Sequence, residues 1–184
     1  MLLVASTMPG CGFGRSSTRV GERMGKPFKG VVNLDITKSV PDWDPYAQPI
    51  APKDAPNVLY ILLDDVGFSA MEPFGGLIET PNINRIAEQG LVYTNFHTTA
   101  LCSPTRSCLL NGRNHTTNSM ASITEAAAGF PNSSGHIPFE CGNVAEVLGE
   151  QGWNTYAVGK WHLCPEDEMN LASTRRQWPL GARL

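Results

Sequence analysis

The first sustained hydrophobic pattern begins at residue 58. Val58-Leu59-Tyr60-Ile61-Leu62-Leu63 is an unbroken run rich in strand formers, stopped by Asp64-Asp65 and then Gly67. Such a run reads as a buried parallel strand with both faces covered. The period then changes. In Thr80-Pro81-Asn82-Ile83-Asn84-Arg85-Ile86-Ala87-Glu88-Gln89-Gly90, the positions Ile83, Ile86 and Ala87 form a helical stripe. Thr80 suits the N-cap, Pro81 the first helical position and Gly90 the stop. Leu91 to Phe96 reads as a second strand. Ser103-Pro104 opens another helix by the same logic, ending near Gly112, and residues 113–140 read as a long functional loop of Asn, Ser, Thr, Gly and Pro. Asn143 to Gln151 reads as a short helix stopped by Gly152, and Trp153 to Val158 as a third strand. Alternating strands and helices predict an α/β fold with a mainly parallel sheet sandwiched by helices. There is no internal repeat and no low-complexity tract.

Ahead of this region the pattern is absent. Residues 1–56 hold half of the 14 prolines and no lasting apolar period. The predicted organisation is an extended or poorly ordered arm over 1–55 and a catalytic-type domain over 56–184. The arm is basic, with Arg15, Arg19, Arg23, Lys26 and Lys29 against Glu22, and reads as solvated; Met24 is an alternative start. Over the whole chain, 41% hydrophobic and 17% charged residues are ordinary for a globular protein, and 184 residues suffice for one core. A net charge of -3 gives no basis for a nucleic-acid partner. No apolar run approaches the ~20 residues of a membrane span. Met1-Leu2-Leu3-Val4-Ala5 lacks the basic start and the ~7–15-residue apolar stretch of a signal peptide, which makes the cytoplasm the default compartment. Five cysteines without a CxxC pair (Cys11, Cys102, Cys108, Cys141 and Cys164) argue against a disulfide framework or zinc site.

Three features can carry chemistry. Asp64-Asp65 ends a predicted buried strand, where ligands of open α/β sheets collect. Adjacent carboxylates suit a hard divalent cation such as Ca²⁺ or Mg²⁺, and equally serve as a turn or helix cap. Cys102 precedes a helix whose free N–H groups favour negative charge, and Arg106 follows one turn later. Together they make an anion site holding a nucleophile, or a packed cysteine beside a capped helix. In Gly159-Lys160-Trp161-His162, an extended backbone sends Lys160 and His162 to one face and Trp161 to the other. That pair can bind an oxyanion and exchange a proton; the alternative is a strand end with a packed Trp. His97, His115 and His136 read as structural, Arg113 as a loop anchor, and Cys108, Cys141 and Cys164 as small packed side chains.

In combination these segments resemble the sulfatases of the alkaline-phosphatase superfamily. Cys102-Ser103-Pro104-Thr105-Arg106, with Leu109-Leu110 and Gly112-Arg113, resembles the C-x-P-[ST]-R signature that directs cysteine oxidation to formylglycine. Gly152 through His162 resembles the second signature, ending in GK-x-H. Pro56 to Gly67 resembles the opening strand with its metal-binding aspartates, and Thr80 to Arg85 the T-P-N helix start. Four motifs in family order are far more specific than any one. The resemblance implies an alkaline-phosphatase-like α/β fold and an arylsulfatase-like sulfuric ester hydrolase. Cys102 would become formylglycine. Asp64, Asp65 and residue 102 would bind Ca²⁺ or Mg²⁺, Arg106 would stabilise the modified residue, Lys160 would bind sulfate oxygens, and His162 would hydrogen-bond the diol. The implied partners are a small-molecule sulfate ester and a formylglycine-generating or sulfatase-maturing enzyme.

Two departures matter. Asn111 replaces the small or hydroxyl residue usual before the signature glycine. The family's remaining metal ligands, and a further His and Lys of its sulfate pocket, lie beyond the second signature and have no counterpart here. The expectation is an N-terminal part of the catalytic domain, incomplete at its C-terminus, inactive alone and prone to aggregate through an open sheet edge. A phosphonate or phosphodiester hydrolase of the same superfamily, or a catalytically inactive truncated remnant, are the competing readings.

Overall fold

A computed structural model describes residues 26–182. They fall into two units with a boundary between Ile50 and Ala51. In the first, Val31 and Val40 form an antiparallel bridge, each donating to the other's carbonyl at 2.9 Å. Asp35 starts the short turn Ile36–Lys38 between them, accepting from the Thr37 N–H at 3.1 Å and from its hydroxyl at 2.7 Å. Those hydrogen bonds hold the Asp35 carboxyl below its ordinary range. The part of the expected N-terminal arm that lies over 1–25, including Arg15, Arg19, Arg23 and Met24, falls outside the described residues.

The second unit contains three α-helices, α1 (Pro81–Gln89), α2 (Cys102–Asn111) and α3 (Val144–Glu150). Pro81 opens α1, where its missing N–H costs no hydrogen bond. Thr80 holds the N-cap position, but its hydroxyl donates to Asn84 Oδ1 at 3.1 Å instead of accepting a backbone N–H. Gly90 ends the helix in an extended conformation (φ -124°). The α2 helix begins two residues earlier than the cap logic predicts: Leu101 is its N-cap and Cys102 its first residue. Gly112 closes it at φ 63°, donating to the Cys108 carbonyl at 2.8 Å, a left-handed stop that favours glycine. Asn143 caps α3 as expected of a helix start, accepting the Ala145 N–H at 2.9 Å.

Packing gathers around α2 and α3, which touch, and around the loop between them. Met120, Ala145 and Leu163 are buried there, together with Ser103, Ser107, Asn118 and Thr124. The predicted sheet is not seen among the described residues. Among the described residues, pairing is reduced to isolated bridges such as the parallel Met71–Ile78 contact, and 58–63, 91–96 and 153–158 form no strand. These segments are open to solvent, with Leu59 at 77% and Val158 at 103% relative exposure. A parallel strand pairs only with strands distant in sequence, and burying both faces needs covering helices. Ile61 makes an isolated bridge, and no further pairing of these segments is seen among the described residues. No helix among the described residues is long and apolar enough to cross a membrane.

Candidate active site

The site is assembled from three stretches far apart in sequence: the residues after segment 58–63, the start of α2, and residues 160–162. Thr99 and Thr105 hold the start of α2 through a 2.6 Å hydroxyl contact, and Thr105 N–H donates to the Leu101 carbonyl at 3.2 Å. That fixes Cys102 on the first turn. Its Sγ lies 3.1 Å from Nδ1 of His162, sixty positions away in the chain. Arg106, one turn further on and 9% exposed, donates from one terminal nitrogen to Asp64 Oδ1 at 3.0 Å and from the other to the Lys160 carbonyl at 2.6 Å. Lys160 Nζ donates to the second Asp64 oxygen at 2.6 Å. Trp161 turns away and donates its indole N–H to the Gln177 carbonyl at 2.7 Å.

Asp64 is thus clamped by two cations. The hydrogen bond from Lys160, and then that from Arg106, pull its carboxyl below the ordinary range. Reciprocally, Asp64 raises the Lys160 ammonium above its ordinary value, with a smaller electrostatic contribution from Cys102. Asp65 and His162 both sit at φ 54°, in the left-handed region. For residues other than glycine this conformation costs on the order of 1 kcal/mol, and such strain collects at functional sites. A cleft of about 520 Å³ is lined by Asp64, Asp65, Cys102, Thr105 and Arg106, with Phe68, Phe74 and Tyr93 on its apolar side.

Of the residues singled out in the sequence, Cys102, Arg106, Lys160, His162 and Asp64 form one connected cluster. Asp65 lines the same cleft without a hydrogen-bond or ion-pair partner among the described residues. Arg106 reaches Asp64 and the Lys160 backbone, and among the described residues it makes no hydrogen bond to Cys102. Its place is that of a clamp joining α2 to two other stretches of chain. His97 pairs with Asn95 and lines the same cleft, whereas His115, paired with the Met120 carbonyl, and His136, paired with Asp167, do not line it. Arg113 anchors its loop by donating to the Cys141 carbonyl at 3.0 Å. Cys102, Cys108, Cys141 and Cys164 are free thiols, and burial pushes those of Cys108 and Cys164 up.

One residue of the cluster escapes the sequence reading. Glu125, in the short turn Thr124–Ala126, places both carboxylate oxygens against Nε2 of His162, at 2.9 and 2.8 Å. The available signal is slight: between Arg113 and Phe139 it is the one acidic residue of the loop.

The residues present fit a hard divalent cation in kind but not in number. Such an ion takes about six to eight oxygens. Both oxygens of Asp64 are already bonded to cations, and among the described residues no group of three or more His, Cys, Asp or Glu side chains converges as a metal cage. These residues do not make a metal centre by themselves.

Comparison with known proteins gives the cluster a context. Residues 56–172 match the Sulfatase family model. An uncharacterized sulfatase of Schizosaccharomyces pombe is 41% identical over 115 residues, covering 59% of this chain and 21% of that protein. The arylsulfatase of Klebsiella aerogenes is 35% identical over 115 residues, covering 61% and 25%. Human N-acetylgalactosamine-6-sulfatase is 38% identical over 120 residues, covering 59% and 22%. The chain therefore spans a quarter or less of the length of these relatives. The matched family implies an α/β class for this segment. With the family model covering more than half of its residues, the chain belongs to the sulfatase family.

Proposed function

We propose that this chain carries the nucleophile-bearing part of a sulfuric ester hydrolase, with residue 102 at its centre. The supporting observation is the contact of Cys102 Sγ with His162 Nδ1 at 3.1 Å beside the Asp64–Arg106–Lys160 cluster. Converted to formylglycine, residue 102 supplies a hydrated aldehyde, one oxygen of which attacks sulfur while the other later expels sulfate. The remaining work falls to this chain's own side chains. His162 exchanges a proton with the group at position 102. Lys160, with its three donors, meets sulfuryl oxygens when its bond to Asp64 loosens, and Arg106 holds Asp64 and the Lys160 backbone so that the cationic side chain starts from a fixed place.

A chimera tests the reading. Residues 56–172 replace the matching span of the Klebsiella aerogenes arylsulfatase, co-expressed with a formylglycine-generating enzyme. The expected outcome is hydrolysis of an aryl sulfate faster than an aryl phosphonate, with the Cys102 peptide lighter by the difference between a thiol and an aldehyde. Cys102→Ala should lower turnover by roughly 10³-fold or more. Faster phosphonate turnover would move the assignment to the phosphonate hydrolases. A folded chimera with neither turnover nor the mass change would make these motifs a non-catalytic remnant.

A further inference from the structure

The loop residue Glu125 has no role in the reading above, yet it completes a chain of three side chains. Cys102 Sγ faces His162 Nδ1 at 3.1 Å, and Nε2 on the other side of the same ring faces both oxygens of Glu125 at 2.9 and 2.8 Å. We propose that Glu125 is a positioning residue, holding the His162 ring by its Nε2–H so that Nδ1 is presented to residue 102.

The assignment follows from donor and acceptor chemistry. An ionised carboxylate only accepts hydrogen bonds, so a ring nitrogen shared between its two oxygens must carry the hydrogen. In neutral imidazole the other nitrogen, Nδ1, is then a lone-pair acceptor, and it points at the S–H of Cys102. When Nδ1 takes a proton from the group at 102, an N–H bond forms as the bond to sulfur or oxygen breaks. The resulting imidazolium charge lies against the Glu125 carboxylate. With the hydrogen on Nδ1 instead, two acceptors would face each other at Nε2 and the ring would lose this contact. Hydrogen bonding from His162 also holds the Glu125 carboxyl below its ordinary range, consistent with an ionised partner.

The surroundings are built to keep this arrangement. His162 is in the left-handed region, and its side chain is 15% exposed. Thr124 is buried and donates its hydroxyl to Glu125 Oε2 at 3.1 Å, orienting the carboxylate. The turn itself is closed by Ala126 N–H to the Ile123 carbonyl at 3.0 Å and Ala127 N–H to the Thr124 carbonyl at 3.2 Å. A second-sphere partner that fixes ring tautomer and orientation is a general requirement for a working histidine. The catalytic meaning of this pairing rests on the proposed function, but the pairing itself is independent of it.

Proton NMR of the full 184-residue chain reads the pairing directly. The expected result is a downfield, slowly exchanging His162 ring N–H, assigned to Nε2 by nitrogen correlation and by its disappearance in His162→Gln. In Glu125→Ala that signal should be lost to exchange with water, with the far-ultraviolet circular dichroism unchanged. In Glu125→Gln it should persist but move upfield, because a neutral amide oxygen accepts more weakly. A ring protonated at Nδ1 in the parent chain, absence of the downfield signal there, or an unchanged signal in both Glu125 variants would overturn the proposal. Should Glu125→Ala unfold, the upfield shift in Glu125→Gln decides. None of these readings depends on sulfate turnover, so an inactive chimera with the signal intact removes the proposed function and leaves the pairing standing.

Discussion

Helix α2 and the segment 58–63 reverse what their compositions suggest. The segment is entirely apolar, yet Val58, Leu59, Tyr60, Ile61 and Leu63 are exposed. The helix is polar, Cys102-Ser103-Pro104-Thr105-Arg106-Ser107, yet Ser103, Pro104, Arg106 and Ser107 are buried. Hydrophobicity states what a segment gains by being covered; whether it is covered depends on partners from elsewhere in the chain. The helix has them, because Arg106 reaches Asp64 and the Lys160 carbonyl while α3 packs alongside. The apolar segment lacks them among the described residues.

The largest expected effect tests the clamp on the helix side of this comparison. Arg106→Ala removes the donor to the Lys160 carbonyl and a buried side chain that joins three stretches of chain. A loss of about 1–3 kcal/mol is expected for a buried hydrogen-bonding group left without its partner, read as a lower urea midpoint. Arg106→Lys should recover only part of it, since a single ammonium does not reproduce the planar fork that spans Asp64 and the carbonyl. A midpoint unchanged in Arg106→Ala would mean that α2 is held by apolar packing alone, and the contrast with segment 58–63 would reduce to ordinary hydrophobic burial.

What the sequence made legible follows the same division. Pro81 at the head of α1, Gly112 at the end of α2 and Asn143 at the start of α3 are local signals, decided within one turn of backbone, and each stands where its chemistry predicts. Thr80 differs because its hydroxyl donates to Asn84 Oδ1 and accepts no backbone N–H. The expected strands are not seen among the described residues: an apolar run encodes a preference for burial and cannot name its neighbours. In the site, the two signatures already pointed to Cys102, Arg106, Lys160 and His162. The clamping of Asp64 by Arg106 and Lys160, and the Glu125–His162 contact, depend on how loops close over 37 to 96 positions. No periodicity reports that.

A middle-sized effect is expected at α3, which sharpens the comparison by isolating a purely local contribution. Asn143 is 8% exposed and its side chain accepts the Ala145 N–H. Asn143→Ala should cost about 1 kcal/mol, while Asn143→Asp should retain most of the stability, as one cap replaces another. Both are read as shifts of the urea midpoint. Because the cap needs nothing beyond its own turn, its loss should add to that of Arg106→Ala within about 0.5 kcal/mol. Strong coupling would instead show that α2 and α3 share one network.

The smallest effect is expected where hydrophobicity alone would forecast the greatest. Leu59 is 77% exposed, so Leu59→Lys removes little contact and should change the stability of the isolated chain by no more than about 0.5 kcal/mol. Its consequence should appear between molecules. An apolar run open to solvent is a template for association, and a charge placed within it opposes pairing with a second copy. Light scattering at increasing concentration should therefore fall in Leu59→Lys while the urea midpoint at low concentration stays put. A destabilisation of several kcal/mol at low concentration would place Leu59 in a covered strand in solution. The asymmetry between the apolar segment and the polar helix would then disappear, and with it the view that the clamp at Arg106 determines which part of this chain is packed.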